Sequence, residues 1–369
     1  RTATAHPAMT STPSALPAIQ QQLIALVAPL AAAELGTQYH PDLSPLGWHL
    51  GHCAYVEAFW LQAEPQGLHR TLYAPERSPK HTRGARLPPK AELLNLVQAQ
   101  QQRTVAALAD PACRPRAPLS RATLAGFLLQ HHAQHIEIMQ QALAQRAALL
   151  HGAATGTSIQ PVHPADDIVL LPAGSYRLGS SATEAYDNER PPRQVRPGPV
   201  RLARRPVRNA GDLAFMAAGG YRHRRWWSPA GWRWRTAHGA QQPEHWRRDR
   251  NGGWLLLTPS SAVPLRGDAA LLGISRFEAE AYATWAGGRL PHEYEWEAAA
   301  SLGLLEGIGG AWEWCGNRFH PYPGFRTFPY DGYSLPWFDG RHHVLRGASP
   351  YTLPCLRRAS FRDFYTPEK

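Results

Sequence analysis

The chain has 369 residues, 43% of them hydrophobic, and a formal net charge of +11, which is material for two cores rather than for a disordered chain. Its four cysteines (Cys53, Cys113, Cys315, Cys355) lie far apart with no CxxC pair, which argues against a disulfide framework and predicts free thiols in a reducing cytoplasm. No long apolar run or secretory leader is visible, so neither a membrane span nor export is expected. The arginines are interleaved with Trp and Pro rather than gathered in a block, which argues against a nucleic-acid partner.

Residues 1–17, rich in Ala, Thr, Ser and Pro, predict a disordered leader. A broad apolar face predicts a first helix from Ile19 to Leu35, broken by Gly36. Ser44-Pro45 predicts the cap and first turn of a second helix running from Leu46 to about Ala63, which carries His49, His52, Glu57 and Trp60. His49 and His52 are expected not to face one point. His52, flanked by Tyr55, Val56 and Phe59, is the one expected to serve a site. Residues 64–89, with Pro65, Pro75, Pro79 and Pro88, predict a long loop. Long loops beside sites carry binding groups, which makes Arg83 and Arg86 candidates for substrate binding. A third helix is predicted from Lys90 to Leu108.

The run from Ser120 to Leu150 contains no proline and one glycine, Gly126, and predicts a fourth helix. It carries His131 and His135, which are four residues apart and therefore share a face. If His52 joins them, three neutral imidazoles hold one metal ion and leave positions open for substrates. From the residues alone the ion is iron or zinc. An O2-using iron enzyme, a zinc-dependent transferase and a non-catalytic binding module all remain open at this point.

A linker is expected at 151–166. Beyond it, residues 167–369 hold short strand-like runs, many Gly and Pro, and most of the tryptophans. Two short helices are predicted there, Phe277–Ala286 and Glu293–Leu302. The stretch from Tyr221 to Trp254 shows little periodicity, and the strand topology does not follow from the pattern.

Several strings in this half carry a resemblance: Tyr186-Asp-Asn-Glu-Arg-Pro191, Gly219-Gly-Tyr221, Trp226-Trp-Ser-Pro-Ala-Gly-Trp232, Gly288-Arg-Leu-Pro-His-Glu-Tyr-Glu-Trp296, Ala311-Trp-Glu-Trp314 and Val344-Leu-Arg-Gly-Ala-Ser349. Residues 167–369 resemble the formylglycine-generating-enzyme-like, C-type-lectin-related domain, and residues 18–150 resemble the DinB-like four-helix bundle. Together they imply an α+β chain similar to the ergothioneine-type sulfoxide synthases. That family holds a mononuclear Fe(II) with three histidines, matched here by His52, His131 and His135. With O2 as co-substrate it joins a sulfur donor to C2 of the imidazole of hercynine, a trimethylated histidine. The resemblance further implies Tyr330 and Tyr333 as catalytic residues and Gln134 beside the imidazole. Asp363 and Phe364 fall on the side of the hercynine cation.

One segment departs from that pattern. The family members that use gamma-glutamylcysteine read Asn-Trp-Asp after Ser-Phe-Arg, with a basic residue four further on. This chain reads Asp363-Phe364-Tyr365, and the basic position falls on Lys369. Tyr365 in place of Asp suits a neutral sugar better than an amino acid. A related group, the selenoneine synthases, uses a selenosugar, and the expected donor is accordingly selenoglucose. The alternative is C–S bond formation with gamma-glutamylcysteine or cysteine. Trp312, Trp314, Arg346 and Arg362 are expected to stabilise the fold.

Overall fold

Among the described residues, the helical periodicity of the front half is realised as four long helices and two short ones. The computed structural model describes residues 15–63, 67–150, 154–163 and 167–369. These are α1 (Ala15–Val27), α2 (Ala32–Gly36), α3 (Leu46–Trp60), α4 (Arg70–Tyr73), α5 (Lys90–Ala109) and α6 (Arg121–Leu150). The second half holds β1 (Ile168–Leu171), β2 (Tyr176–Leu178), β3 (Arg193–Val195), β4 (Val200–Ala203), α7 (Asn209–Ala217), α8 (Pro229–His238), β5 (Trp246–Arg248), β6 (Trp254–Leu257), β7 (Ala262–Pro264), α9 (Arg276–Trp285), α10 (Glu293–Ser301), β8 (Ala311–Arg318), β9 (His343–Ala348) and β10 (Asp363–Tyr365). The α+β reading therefore holds. The residues group into two units. One runs to Arg146 and includes Thr352–Leu356; the other is Ala147–Tyr351 with Arg357–Lys369.

In the first unit the helix expected from Ile19 to Leu35 is two helices. Pro29 lacks the N–H that would continue α1 and its ring collides with the carbonyl four residues back, so the chain restarts as α2. α1 begins at Ala15, inside the stretch expected to be leader; Pro17 sits in its first turn, where no donor is needed. Residues 1–14 of that leader lie outside the described residues. α3 is buried on nearly every side, Trp48, His49, His52 and Glu57 included, as expected of a central helix. Ser44 does not cap it; its hydroxyl accepts from the Arg83 guanidinium instead. α6 runs unbroken through Gly126. Two residues past His135, the Glu137 carboxylate accepts from Thr352 Oγ1 at 2.8 Å, which anchors the Thr352–Leu356 segment in this unit.

Of the loop expected at 64–89, residues 64–66 lie outside the described residues, and the rest is more ordered than its prolines suggest. It holds α4 and three single 3-10 turns, Pro75–Arg77, Lys80–Thr82 and Gly84–Arg86. The last carbonyls of a helix have no partner within it. Those of α4 accept from α3: Trp48 Nε1 donates to Leu72 O and His52 Nδ1 to Tyr73 O, both at 2.7 Å. Gly51 makes this approach possible, because a Cβ there would lie 2.2 Å from the Tyr73 ring.

In the second unit the strands form four small antiparallel sheets: β1–β4, β2–β3, β5–β6–β7 and β10–β9–β8. α9 and α10 fall where the two short helices are predicted. α7 and α8 were not foreseen, although Ser228-Pro229 starts α8 and Gly239, at φ 61°, ends it. Residues 154–163, expected as linker, are tied to the second unit by Thr157 paired with Trp254 and Val162 N donating to Ala210 O. Residues 151–153 and 164–166 lie outside the described residues. At the centre of this unit Glu293 is buried between two arginines, at 2.7 Å from Arg346 Nη2 and 2.8 Å from Arg362 Nε. A buried carboxylate is tolerated when it is paired in this way. Arg346 and Arg362 are thus the fold-stabilising residues they were expected to be.

Candidate metal centre

The face of α6 that carries His131 and His135 meets His52 of α3. The imidazole centroids lie 4.5 Å (His131–His135), 4.8 Å (His52–His135) and 5.2 Å (His52–His131) apart. One nitrogen from each falls within 4.8 Å of the others, a spacing that a single ion can bridge.

The partners of each ring decide which nitrogen remains for an ion. His52 Nδ1 is at 2.7 Å from the Tyr73 carbonyl, His131 Nδ1 at 3.3 Å from His132 Nδ1, and His135 Nδ1 at 2.8 Å from His49 Nδ1. In all three the Nδ1 edge is engaged, which leaves Nε2 as the ligand atom. Burial pushes His52 down to about 4 and puts His131 and His135 well below the usual histidine value, so all three are neutral with a lone pair available at pH 7. The donor set therefore fits a divalent transition metal held by three imidazoles with positions left open.

A second grouping, Cys53 with His131 and His132, fits less well. Both ring nitrogens of His132 are engaged, Nε2 with Glu57 and Nδ1 with His131. Burial also holds the Cys53 thiol well above its ordinary range and therefore protonated.

His49 corrects the expectation made for it. Three residues on a helix are only about 60° apart around the axis, so His49 and His52 both approach His135. Its Nε2 is buried and has no hydrogen-bond partner among the described residues.

Arg83 also departs from expectation. It is 5% exposed; its guanidinium donates to Ser78 O and Ser44 Oγ and lies 3.7 Å over the Trp48 ring. Trp48 in turn stacks on His52. The guanidinium is thus held by these partners and packs behind Trp48, on which His52 stacks. Arg86 is exposed and donates to Thr71 O at 2.8 Å. Gln134, half-buried on α6, precedes His135.

The remaining candidates belong to the second unit. Tyr330 is 41% exposed, and Tyr333 stacks on Tyr186 with centroids 4.2 Å apart. Asp363, Phe364 and Tyr365 form β10, paired with β9 through Leu345, Val344 and His343. Successive residues of a strand point to opposite faces. Phe364 accordingly stacks on Phe319 at 4.1 Å, while Tyr365 packs by Trp314 and Leu345. The structure therefore separates Asp363 from Phe364, which were expected to line one pocket. Phe364 lies in an aromatic cluster with Phe319 and Phe338.

Comparison with known proteins follows the same division. The DinB superfamily model matches residues 15–139, and the Sulfatase-modifying factor enzyme 1-like domain matches residues 154–307. The chain is 34% identical to the hercynine oxygenase of Mycolicibacterium thermoresistibile, over 91% of this chain and 87% of that protein. It is 33% identical to that of Mycolicibacterium smegmatis, over 91% and 90%. A formylglycine-generating enzyme from Thermomonospora curvata is 32% identical but covers 52% of this chain.

The chain belongs to the hercynine oxygenase family.

In this member of the hercynine oxygenase family the residues behind the ligands went unrecognised in the sequence. Glu57 and His132 are both fully buried and joined at 2.7 Å. His132 follows His131 directly and lies outside the four-residue spacing that pairs His131 with His135. Tyr73 acts through its backbone carbonyl, which leaves no signature in residue type.

Proposed function

We propose that this chain is a non-heme, Fe(II)-dependent enzyme that uses O2 to join a sulfur donor, gamma-glutamylcysteine or cysteine, to C2 of the hercynine imidazole. The observation that carries the reading is the convergence of three neutral imidazoles, each with its Nδ1 edge already engaged. The names of the hercynine oxygenase relatives, which match over 91% of this chain, supply the substrate and the oxidant. The reaction balances as thiol plus imidazole C–H plus O2 giving a sulfoxide and water; one oxygen atom goes to sulfur and the other leaves with the two protons.

His52, His131 and His135 would hold the ion through Nε2. Iron bound there would supply the one-electron steps that O2 requires to react with closed-shell substrates. In this reading the Gln134 amide orients the hercynine ring by hydrogen bonding. The Tyr330 hydroxyl provides a proton to the oxygen that becomes water, with Tyr333, three residues further on, held by its stack on Tyr186. Asp363 offers a carboxylate to the trimethylammonium group, and Arg86 a charge for an anionic donor.

Tyr365 favours a second reading, in which the donor is a selenosugar and the bond formed is C–Se. Tyr365 stands where the gamma-glutamylcysteine users have Asp, and the Lys369 ammonium lies 5.9 Å from its ring centre. An aromatic face suits a pyranose. The test is to mix Fe(II)-loaded protein with hercynine, O2 and each donor in turn, and to measure product mass and O2 uptake. A hercynine-derived sulfoxide is expected with a thiol donor. Product with selenoglucose and none with either thiol replaces the first reading by the second. Turnover with zinc and no O2 uptake contradicts both and supports a zinc-dependent thiol transferase.

A further inference from the structure

The ring directly after the ligand His131 points to a role that none of the expected site residues fills. His132 is 0% exposed, and its Nε2 lies 2.7 Å from Glu57 Oε1. Glu57, itself 0% exposed, also accepts from Gln20 Nε2 at 2.8 Å and from Thr104 Oγ1 at 2.6 Å. One carboxylate thus ties together α1, α3, α5 and α6. The other edge of His132, Nδ1, lies 3.3 Å from Nδ1 of His131.

We propose that Glu57 and His132 are positioning residues that fix the tautomer of His131 and raise its strength as a metal donor. The inference rests on the reading of the triad as a metal centre. Each link fixes the next. A carboxylate only accepts, so His132 carries its proton on Nε2. In the neutral ring Nδ1 is then a bare lone pair and accepts from His131 Nδ1–H. His131 Nε2 is left unprotonated, as a metal ligand must be. Partial negative charge passed from Glu57 along the two rings makes His131 more basic toward a cation.

The other two ligands lack this support. His52 donates to a neutral carbonyl, and His135 meets His49, whose far nitrogen has no partner among the described residues. The three imidazoles are therefore unequal. His131 is the strongest donor and His135 the least constrained.

The probe is Co(II), titrated into metal-free protein against a competing chelator and followed by its visible bands. Glu57→Gln keeps the size of the side chain and removes the charge. It is expected to weaken Co(II) binding about 10- to 100-fold and to shift the bands. Thr104→Val removes a different hydrogen bond to the same carboxylate but leaves its charge and its bond to His132, and is expected to bind Co(II) nearly as tightly as wild type. Glu57→Gln binding as tightly as wild type, or Thr104→Val weakening binding as much as Glu57→Gln, overturns the relay. Should Glu57→Gln fail to fold, nitrogen-15 histidine NMR of the zinc-loaded wild type decides. His132 protonated on Nε2 and His131 on Nδ1 supports the relay, and His132 protonated on Nδ1 overturns it. A wild-type chain that binds no Co(II) overturns the metal-centre reading itself, whereas wild-type binding with an unaffected Glu57→Gln overturns the relay alone.

Discussion

The imidazole of His52 lies flat on the indole of Trp48, with ring centroids 4.7 Å apart and planes 9° from parallel. The Arg83 guanidinium also packs on the Trp48 ring, 3.7 Å from its centre. Trp48 is pinned by Leu72 O and His52 by Tyr73 O, so two side chains of α3 are held by the end of α4. A metal ligand whose rotamer is fixed before the ion arrives loses little entropy on binding it.

Arg83→Gln removes the charge and the fork that hold this stack. It is expected to lower metal affinity by about tenfold, the scale of losses when support behind a ligand is removed. Metal content after dialysis and the KM for each substrate check this. Lower metal content with KM unchanged is the expected result; full metal content with a raised donor KM marks Arg83 as a substrate contact.

Gly51→Ala places a methyl group 2.2 Å from the Tyr73 ring, against atoms held by the core. Overpacking of this kind costs about 1–3 kcal/mol. It also moves the carbonyl that orients His52. Both the unfolding midpoint and the bound metal are expected to fall, and Tyr73→Val in the same chain is expected to restore part of each by making room. Urea unfolding and metal analysis of the single and double variants provide the check.

Burial holds His52 at about 4 in the folded chain, against about 6.5 when unfolded. A depressed folded value means that its contribution is complete above pH 6.5 or so and is lost as the pH falls toward 4. The difference corresponds to about 3 kcal/mol. Metal-free protein is therefore expected to lose stability between pH 7 and pH 5 in urea, and His52→Asn to lose less over that interval. An equal loss in both contradicts the assignment.

Glu278 in the second unit contributes a slope of the opposite sign between about pH 4.5 and 7. Burial raises Glu278 to about 7. Its folded value exceeds the unfolded one, so its contribution is complete at low pH and is lost as the pH rises through 7. Glu293 behaves in the reverse sense. Burial alone would raise it, but Arg362 and Arg346 outweigh that and hold it at about 2, so its contribution is lost only in strong acid. Thermal unfolding followed by tryptophan fluorescence is expected to show Glu278→Gln gaining in midpoint relative to wild type between pH 5.5 and pH 8, because only the wild type loses the Glu278 contribution over that interval.

Much of the helical half was legible because its signals are local. His131 and His135 declare a shared face by their spacing alone, and the Ser120–Leu150 run specifies α6 nearly to the residue. The fold of the second half came from the resemblance, not from pattern. Its strands are three to eight residues long and pair across the sequence, as β1 does with β4, so periodicity has little to act on. α8 was hidden by its own composition, with Trp and Arg alternating from Trp232 to Arg235 inside the Ser228 and Gly239 boundaries. The support behind the site was not legible at all. Leu72 and Tyr73 contribute carbonyls, which every residue possesses, and an arginine in a loop carries no sign in the sequence that its partners are Ser78 O and Ser44 Oγ. The separation of Asp363 from Phe364 required knowing that they sit side by side on a strand.

The most direct test is anomalous diffraction at the iron edge from crystals grown anaerobically with Fe(II). One peak within bonding distance of Nε2 of His52, His131 and His135 is the predicted result. A peak bound by Cys53 or His132 instead, or none at the triad in a crystal grown with excess Fe(II), contradicts the account.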